Sequence, residues 1–226
     1  MAKKKEMTPL MKQYWSVKSA HPDKIVLFRM GDFFEMFHDD AIAAAPLLGI
    51  ALTARNKKSG DQTPMCGVPH HSIGGQINKL LAAGQKVAIC DQVEDPKLAK
   101  GLVKREITRI LSPGMVYDPE TLESHQPHYL CAYDRDSVAF MDSTTGECFF
   151  YKVGQLSRVS SLIEALNPIE VVLSPDQKEE FETLKPEAWS GLVSEHDGLM
   201  NSPLCEKESG QRLLSYGVSM QGEILL

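Results

Sequence analysis

The stretch that most constrains this chain is residues 25–37, Ile-Val-Leu-Phe-Arg-Met-Gly-Asp-Phe-Phe-Glu-Met-Phe. Its first six residues are β-prone and, Arg29 aside, apolar. Gly31 takes positive φ without steric cost, so Gly31-Asp32 suits a type II′ turn between two strands. Phe33 to Phe37 is then the return strand. Side chains alternate along a strand, which puts Phe33, Glu35 and Phe37 on one face and Phe34 and Met36 on the other. A carboxylate between two aromatics is costly on a buried face unless it is paired. Two readings stay open from the hairpin alone. Either Phe33 is a core residue with Glu35 at the surface, or an aromatic wedge stands beside a hydrogen-bonding acid and the face meets a ligand.

Around the hairpin the apolar period switches between helix and strand. Pro9 to Ala20 carries Leu10, Met11, Tyr14, Trp15 and Val17 near helical spacing, and His21-Pro22-Asp23 stops it. After the hairpin, Asp39-Asp40 suit a helix N-terminus, where carboxylates favour the dipole. Phe37, Ala41, Ala44, Ala45 and Leu48 form its apolar face, and Gly49 ends it. Ile50 to Ala54 reads as a strand, followed by the basic, turn-rich loop Arg55 to Gly60. Thr63 to Val68 is extended and closed by Pro69. A helix then begins at His70-His71, with Ile73, Ile77, Leu80 and Leu81 on one face. Lys86 to Gln92 and Glu106 to Leu111 are strands, and Ser112-Pro113-Gly114 ends the second. The order ββ-α-β-β-α-β-β indicates an α/β fold with a mixed sheet.

The stretch 118–126, rich in Pro, Glu and His around Tyr117 to Pro127, reads as a linker. Residues 1–8 are expected to be disordered, 9–117 to form one domain and 127–226 a second. The second opens with three short strands, Tyr129–Tyr133, Ser137–Asp142 and Gly146–Lys152, whose tight turns imply an antiparallel meander. A helix over Gln155 to Leu166, a buried strand over Ile169 to Leu173 and a short helix over Asp176 to Thr183 follow. Residues 184–203 show no clear pattern, and Glu206 to Tyr216 looks helical.

Charge divides the chain. Residues 1–124 hold 17 Lys and Arg against 14 Asp and Glu, whereas residues 125–226 hold 7 against 16. The basic half is the candidate for nucleic acid, since phosphate contacts need cations. No apolar run reaches the roughly 18–20 residues of a membrane span, and no hydrophobic segment follows Met-Ala-Lys-Lys-Lys, so no signal peptide is expected. The five cysteines, at 66, 90, 131, 148 and 205, lack paired metal spacing. Reduced thiols in a cytoplasmic protein are the expectation. The chain contains no G-x-x-x-x-G-K-[ST], so it is not expected to be an ATPase or another enzyme by itself.

Arg-Met-Gly-Asp-Phe-Phe-Glu-Met-Phe at 29–37 resembles the mismatch-reading hairpin of the MutS family of DNA mismatch repair proteins. Three further stretches agree in order: Pro-Met-Cys-Gly-Val-Pro-His-His at 64–71, Val-Ala-Ile-Cys-Asp-Gln-Val-Glu-Asp-Pro at 87–96 and Arg-Ile-Leu-Ser-Pro-Gly at 109–114. The resemblance implies that Phe33 is the intercalating phenylalanine and Glu35 its partner glutamate. Phe34 stands where the family often has Tyr, on the side facing away from DNA. Met65 and Gly67 belong to the segment that lies near the minor groove in the family. Candidate backbone contacts are Arg55, Lys57, Lys58, Lys104, Arg105 and Arg109, with Arg55 and Arg105 foremost. The second half resembles, more weakly, the family's RNase H-like connector domain. Phe140 to Glu147 and Leu-Leu-Ser-Tyr-Gly-Val-Ser-Met-Gln-Gly-Glu carry that likeness, although Gly217 falls where a helix would be expected to continue.

The implied partner is double-stranded DNA with mismatches or small loops. Full-length members dimerise and use ATP and Mg through downstream clamp and ATPase segments that are not in these residues, so the chain looks like an N-terminal part. The connector would offer a surface to a downstream repair protein. No cofactor, metal or membrane contact is expected here. Two other function classes stand beside this one. A metal-dependent nuclease could use Asp142 and Glu147, with Asp134 and Asp136 nearby. A protein-interaction module could use the acidic second half.

Overall fold

A computed structural model describes residues 7–55, 62–95, 98–99, 101–115, 127–135, 137–153 and 156–196. The chain divides into two compact units, the first built on Met1–Ser112 and the second beginning at Pro113. Both units are α/β with mixed sheets, as expected.

The first unit runs α1 (Pro9–Ala20), β1 (Ile25–Met30), β2 (Phe33–Phe37), α2 (His38–Leu48), β3 (Thr53–Arg55), β4 (Thr63–Pro69), α3 (Ile73–Ala82), β5 (Val87–Gln92) and β6 (Arg105–Leu111). A single 3-10 turn at His70–Ser72 leads into α3. The sheet order is β3-β4-β2-β1-β5-β6. β1 and β5 run parallel and every other pair is antiparallel. Met30 pairs with Phe33 across the two-residue turn. Gly31 there has φ +57° while Asp32 stays outside the positive-φ region. That is the sign pattern of a II′ turn, whose twist matches the flanking strands.

The alternation read from the hairpin is the alternation that packs. Phe34 and Met36 are buried on one side of the sheet. α2 lies on that side, where the thiol of Cys66, the strand partner of Met36, reaches the carbonyl of Ala41. Ala41, Ala44 and Ala45 are small enough to bring α2 close. On the other side α1 lays Tyr14 against Phe28 and Phe37, with edge-to-face ring contacts at 5.7 and 5.1 Å. Val26, Ala88 and Cys90 complete that second core.

One buried carboxylate ties these layers together. Asp40 accepts hydrogen bonds from the Val26 amide (3.1 Å), the Lys18 ammonium (2.8 Å) and the Tyr14 hydroxyl (3.3 Å). It was expected only as a helix N-terminal acid. Its helical spacing with Ala44 and Leu48, both buried, was the available signal that it faces inward.

The second unit runs β7 (Tyr129–Asp134), β8 (Ser137–Asp142), β9 (Cys148–Lys152), α4 (Ser157–Leu166), β10 (Glu170–Leu173), α5 (Lys178–Leu184) and β11 (Leu192–Glu195). The sheet order is β11-β10-β7-β8-β9. β7 to β9 form the expected antiparallel meander, and β10 returns parallel to β7. β11 was not foreseen. Its four residues are too few to show a period, and it exists by parallel pairing with β10. The core gathers Tyr133, Phe140, Val159, Ile163, Val171 and Phe181.

Several boundaries differ from expectation. The strand expected over Ile50–Ala54 is only Thr53–Arg55, because only those residues face partners on β4. Ser112-Pro113-Gly114, expected to end the last strand of a first domain running to 117, is divided between the units. The Gly114 amide donates to buried Glu170 (2.8 Å), and its carbonyl accepts from the Ser143 hydroxyl (2.6 Å). The expected linker at 118–126 and the helix over Glu206 to Tyr216 lie outside the described residues, as do Lys57, Lys58 and Asp136. Among the described residues, four cysteines are free. Burial pushes the Cys66 thiol up to about 11 and that of Cys90 up to about 12. No helix among the described residues is long and apolar enough to cross a membrane.

Candidate nucleic-acid interface

The face that carries Phe33, Glu35 and Phe37 is graded. Phe37 at the α1 end is 0% exposed, Glu35 is half-buried, and Phe33 beside the turn is 46% exposed. Phe37 belongs to the cluster around Tyr14 of α1, whereas Phe33, beside the turn, is not among the residues of that cluster. An aromatic ring thus stands in water at a fixed place. The tip is held from both sides. The His70 amide donates to the Asp32 carbonyl (2.8 Å), which joins the turn to the end of β4. The Arg29 side chain folds back to the Gly31 carbonyl and lies over the Phe34 ring, 5.3 Å from its centroid.

Glu35 sits two residues inward on the same face. Phe28 faces it across β1 and Gly67 across β4. A Cβ at Gly67 would stand 3.3 Å from the Phe34 carbonyl and 3.4 Å from Glu35 Cγ, tighter than ordinary contact. Gly67 therefore makes the recess into which the Glu35 side chain leans. Oε2 of Glu35 is buried and has no hydrogen-bond partner among the described residues. The Arg55 guanidinium lies 3.8 Å from it. Burial pushes the Glu35 carboxyl above the usual carboxylate range, and the Arg55 charge works against that rise. The group is chemically two-sided: ionised, it accepts, and protonated, it donates.

The other expected site residues are placed as follows. Met65 is half-buried, opposite Phe37, and packs on the Tyr14 cluster. Arg55 ends the edge strand β3, on the Glu35 side, with its guanidinium 5.9 Å from the Phe37 centroid. Lys104 is exposed and ion-paired with Glu106. Arg109 is exposed on edge strand β6, opposite Ile89, and β1 and β5 lie between it and β2. Arg105 does not fit the part of a leading phosphate contact. It is 8% exposed and stacks on Phe28 (5.2 Å). It donates to the Arg29 carbonyl (2.6 Å), the Val103 carbonyl (2.8 Å) and Gln13 (3.1 Å). Its charge works inside the fold, joining α1, β1 and β6.

What sequence reasoning missed is the approach of Arg55 to Glu35. The two are twenty positions apart and meet only because β4 lies between β2 and β3. No local pattern reports such a contact.

In the second unit, two of the carboxylates considered for metal chemistry, Asp142 and Asp134, are otherwise engaged. Asp142 accepts from the Thr144 amide (2.8 Å) and hydroxyl (2.7 Å) and from the His128 amide (3.4 Å). Burial raises its carboxyl, but those hydrogen bonds prevail and hold it below the usual range. Asp134 accepts from Gln177 (2.7 Å), and Glu147 is exposed. No group of three His, Cys, Asp or Glu among the described residues could hold a metal ion.

Comparison with known proteins bears on the first unit above all. A family model described as MutS domain I matches residues 8–120. The DNA mismatch repair protein MutS of Syntrophobacter fumaroxidans is 47% identical over 182 residues, covering 76% of this chain and 20% of that protein. Its counterpart in Desulfitobacterium hafniense is 46% identical over 185 residues, covering 80% and 20%. That of Chlorobaculum tepidum is 42% identical over 197 residues, covering 84% and 22%. The chain spans about a fifth of the length of these curated relatives.

Proposed function

From the premise that the chain belongs to the MutS family, we propose that its first unit reads mismatched or bulged duplex DNA, with Phe33 wedging in from the minor groove and Glu35 hydrogen-bonding the displaced base. The observation that carries this reading is the pairing of an exposed aromatic ring with a buried carboxyl oxygen that has no hydrogen-bond partner among the described residues, on one face of a pinned hairpin.

The energetics favour a lesion. Wedging a side chain between base pairs unstacks a step at a cost of a few kcal/mol, and aromatic–base stacking returns about 1–3 kcal/mol. On matched DNA these nearly cancel. At a mismatch the base is already poorly held and the cost falls, so the site reads deformability more than sequence. Glu35 adds a second filter. A carboxylate beside phosphates is repelled unless it finds a hydrogen-bonding base edge, and a protonated one needs an acceptor that only a displaced base presents.

Arg55, Lys57, Lys58, Lys104 and Arg109 are proposed phosphate contacts, and Met65 and Gly67 groove-side positions. The order of the second sheet, a meander followed by two parallel strands, supports reading that unit as an RNase H-like connector with a surface for a downstream repair protein. Dimer formation and the use of ATP and Mg are proposed for a full-length family member, because these 226 residues contain no P-loop.

The test is a set of low-salt binding isotherms on a duplex with one G·T mismatch or single-base bulge and on its matched control. The wild-type chain is expected to prefer the lesion, and Phe33→Ala to bind both duplexes alike. Equal binding of both duplexes by the wild type would overturn the reading for this chain.

A further inference from the structure

The Glu35 recess is assembled from three strands. β2 supplies the carboxyl, β4 supplies the space at Gly67, and β3 supplies the Arg55 guanidinium. At 3.8 Å the guanidinium is within Coulombic reach of Oε2 and outside hydrogen-bonding distance. The same guanidinium lies over the Phe37 ring, and about a third of the Arg55 side chain is open to water. Arg55 is thus a half-committed cation. It acts on a buried oxygen yet remains available to an anion arriving from outside.

Among the described residues, the other elements around Glu35 leave this cation without a rival. β1 presents Phe28, and β4 presents Gly67 with Met65 and Pro69 beside it. α1 presents the Tyr14 ring, whose hydroxyl is turned to Asp40 and the Phe37 carbonyl. The Arg105 guanidinium stacks on Phe28 and donates to backbone and Gln13. Arg29, on the opposite face, lies over Phe34 with Asp91 at 3.9 Å. Among the described residues, Arg55 is the charge that acts on the Glu35 carboxyl.

We propose that Arg55 is a positioning residue that acts through Glu35: it steadies the carboxylate in the DNA-free chain, and a backbone phosphate that draws the guanidinium away frees that carboxyl to engage a displaced base. This rests on the mismatch-reading function proposed above and adds a link within it. Phosphate contact at the end of β3 and lesion reading at β2 become one coupled event, and such coupling is reciprocal. Once Arg55 turns to phosphate, the carboxyl loses its opposing cation and holds a proton more readily. A neutral carboxyl is not repelled by the groove and can donate to a base acceptor.

The experiment follows the Glu35 carboxyl directly, by carbon-13 NMR pH titration of the 226-residue chain without DNA. The Glu35 signal is identified by its loss in Glu35→Gln. Arg55→Gln is expected to raise its midpoint by about half a pH unit or more, and Arg55→Lys to recover most of that shift. Raising salt from about 0.05 to 1 M should move the wild-type midpoint the same way, because a partly exposed pair is screened. The second arm measures the ratio of mismatched to matched affinity against pH. Arg55→Gln should move that profile upward, and in a Glu35→Gln background it should weaken both duplexes equally. A Glu35 midpoint that responds neither to Arg55→Gln nor to salt overturns the proposal. A midpoint that moves, in a chain that treats both duplexes alike, sustains the positioning of Glu35 by Arg55 and overturns the mismatch reading instead.

Discussion

Phe37 and Phe33 occupy the two ends of one strand face, four residues apart, and have opposite fates. Phe37 is sealed under Tyr14 of α1, with the Arg55 guanidinium over its ring. Phe33 has only Met30 and Pro69 as strand partners and stands nearly half exposed. The residue type is the same, and so are the strand and the face. The difference lies in what covers each ring: Phe37 lies in the Tyr14 cluster and Phe33 does not. An exposed aromatic ring on a rigid hairpin is useful only if the hairpin cannot collapse onto its own core. The buried end provides that rigidity, so Phe37 serves the fold and leaves Phe33 open for the DNA contact proposed above.

The widest break in this comparison comes from truncating each ring. Phe37→Ala removes a fully buried side chain from the Tyr14–Phe28 cluster and is expected to cost about 3–5 kcal/mol. Phe33→Ala is expected to stay within about 0.5 kcal/mol of wild type, while abolishing mismatch preference. Urea unfolding of the two variants side by side measures the contrast. Equal losses would mean that the exposed ring is part of the fold.

A smaller effect is expected from loosening the clamp on the buried end. Asp40→Asn leaves the Lys18 ammonium without its 2.8 Å counter-ion and weakens the tie to the Val26 amide. The expected loss is about 2 kcal/mol of unfolding free energy, read from the shift in denaturant midpoint. Hydrogen exchange should rise first in α1 and the start of β1, with the Phe33 turn following.

The smallest effect lies between the two ends, at Glu35, and is read by pH. Burial raises its carboxyl in the folded chain and Arg55 opposes the rise. A group raised on folding contributes stability that is fully present below its unfolded value and is lost as pH rises through the folded one. Glu35→Gln has no such loss. The variant should therefore gain on wild type as pH rises from the ordinary carboxylate range, about 4, through the raised folded one, as judged from unfolding midpoints at each pH. A difference that stays constant with pH would show that Glu35 titrates alike in the folded and unfolded chains.

Much of this arrangement was legible from local pattern. The II′ turn follows from Gly31, because a positive φ is cheap for that residue and costly for its neighbours. The inward face of α2 follows from Ala41, Ala44, Ala45 and Leu48. The meander β7–β9 follows from short alternating runs and tight turns. Arg105 shows where such reading stops. A basic residue at the start of a strand looks the same whether it meets phosphate or the carbonyl of Arg29, and only the neighbours brought by folding decide. β11 likewise has no period of its own and is defined by the strand it pairs with.

By itself the sequence determined the family, the hairpin and which residues share its face, since backbone sterics and side-chain alternation act within a few positions along the chain. The tertiary structure alone decided that Phe37 is buried and Phe33 exposed, that Asp40 binds three elements together, and that Arg55 stands 3.8 Å from Glu35. Burial and charge pairing depend on distance through space. Here that distance is set by strand order, which places β4 between β2 and β3 and brings residues twenty positions apart to one recess.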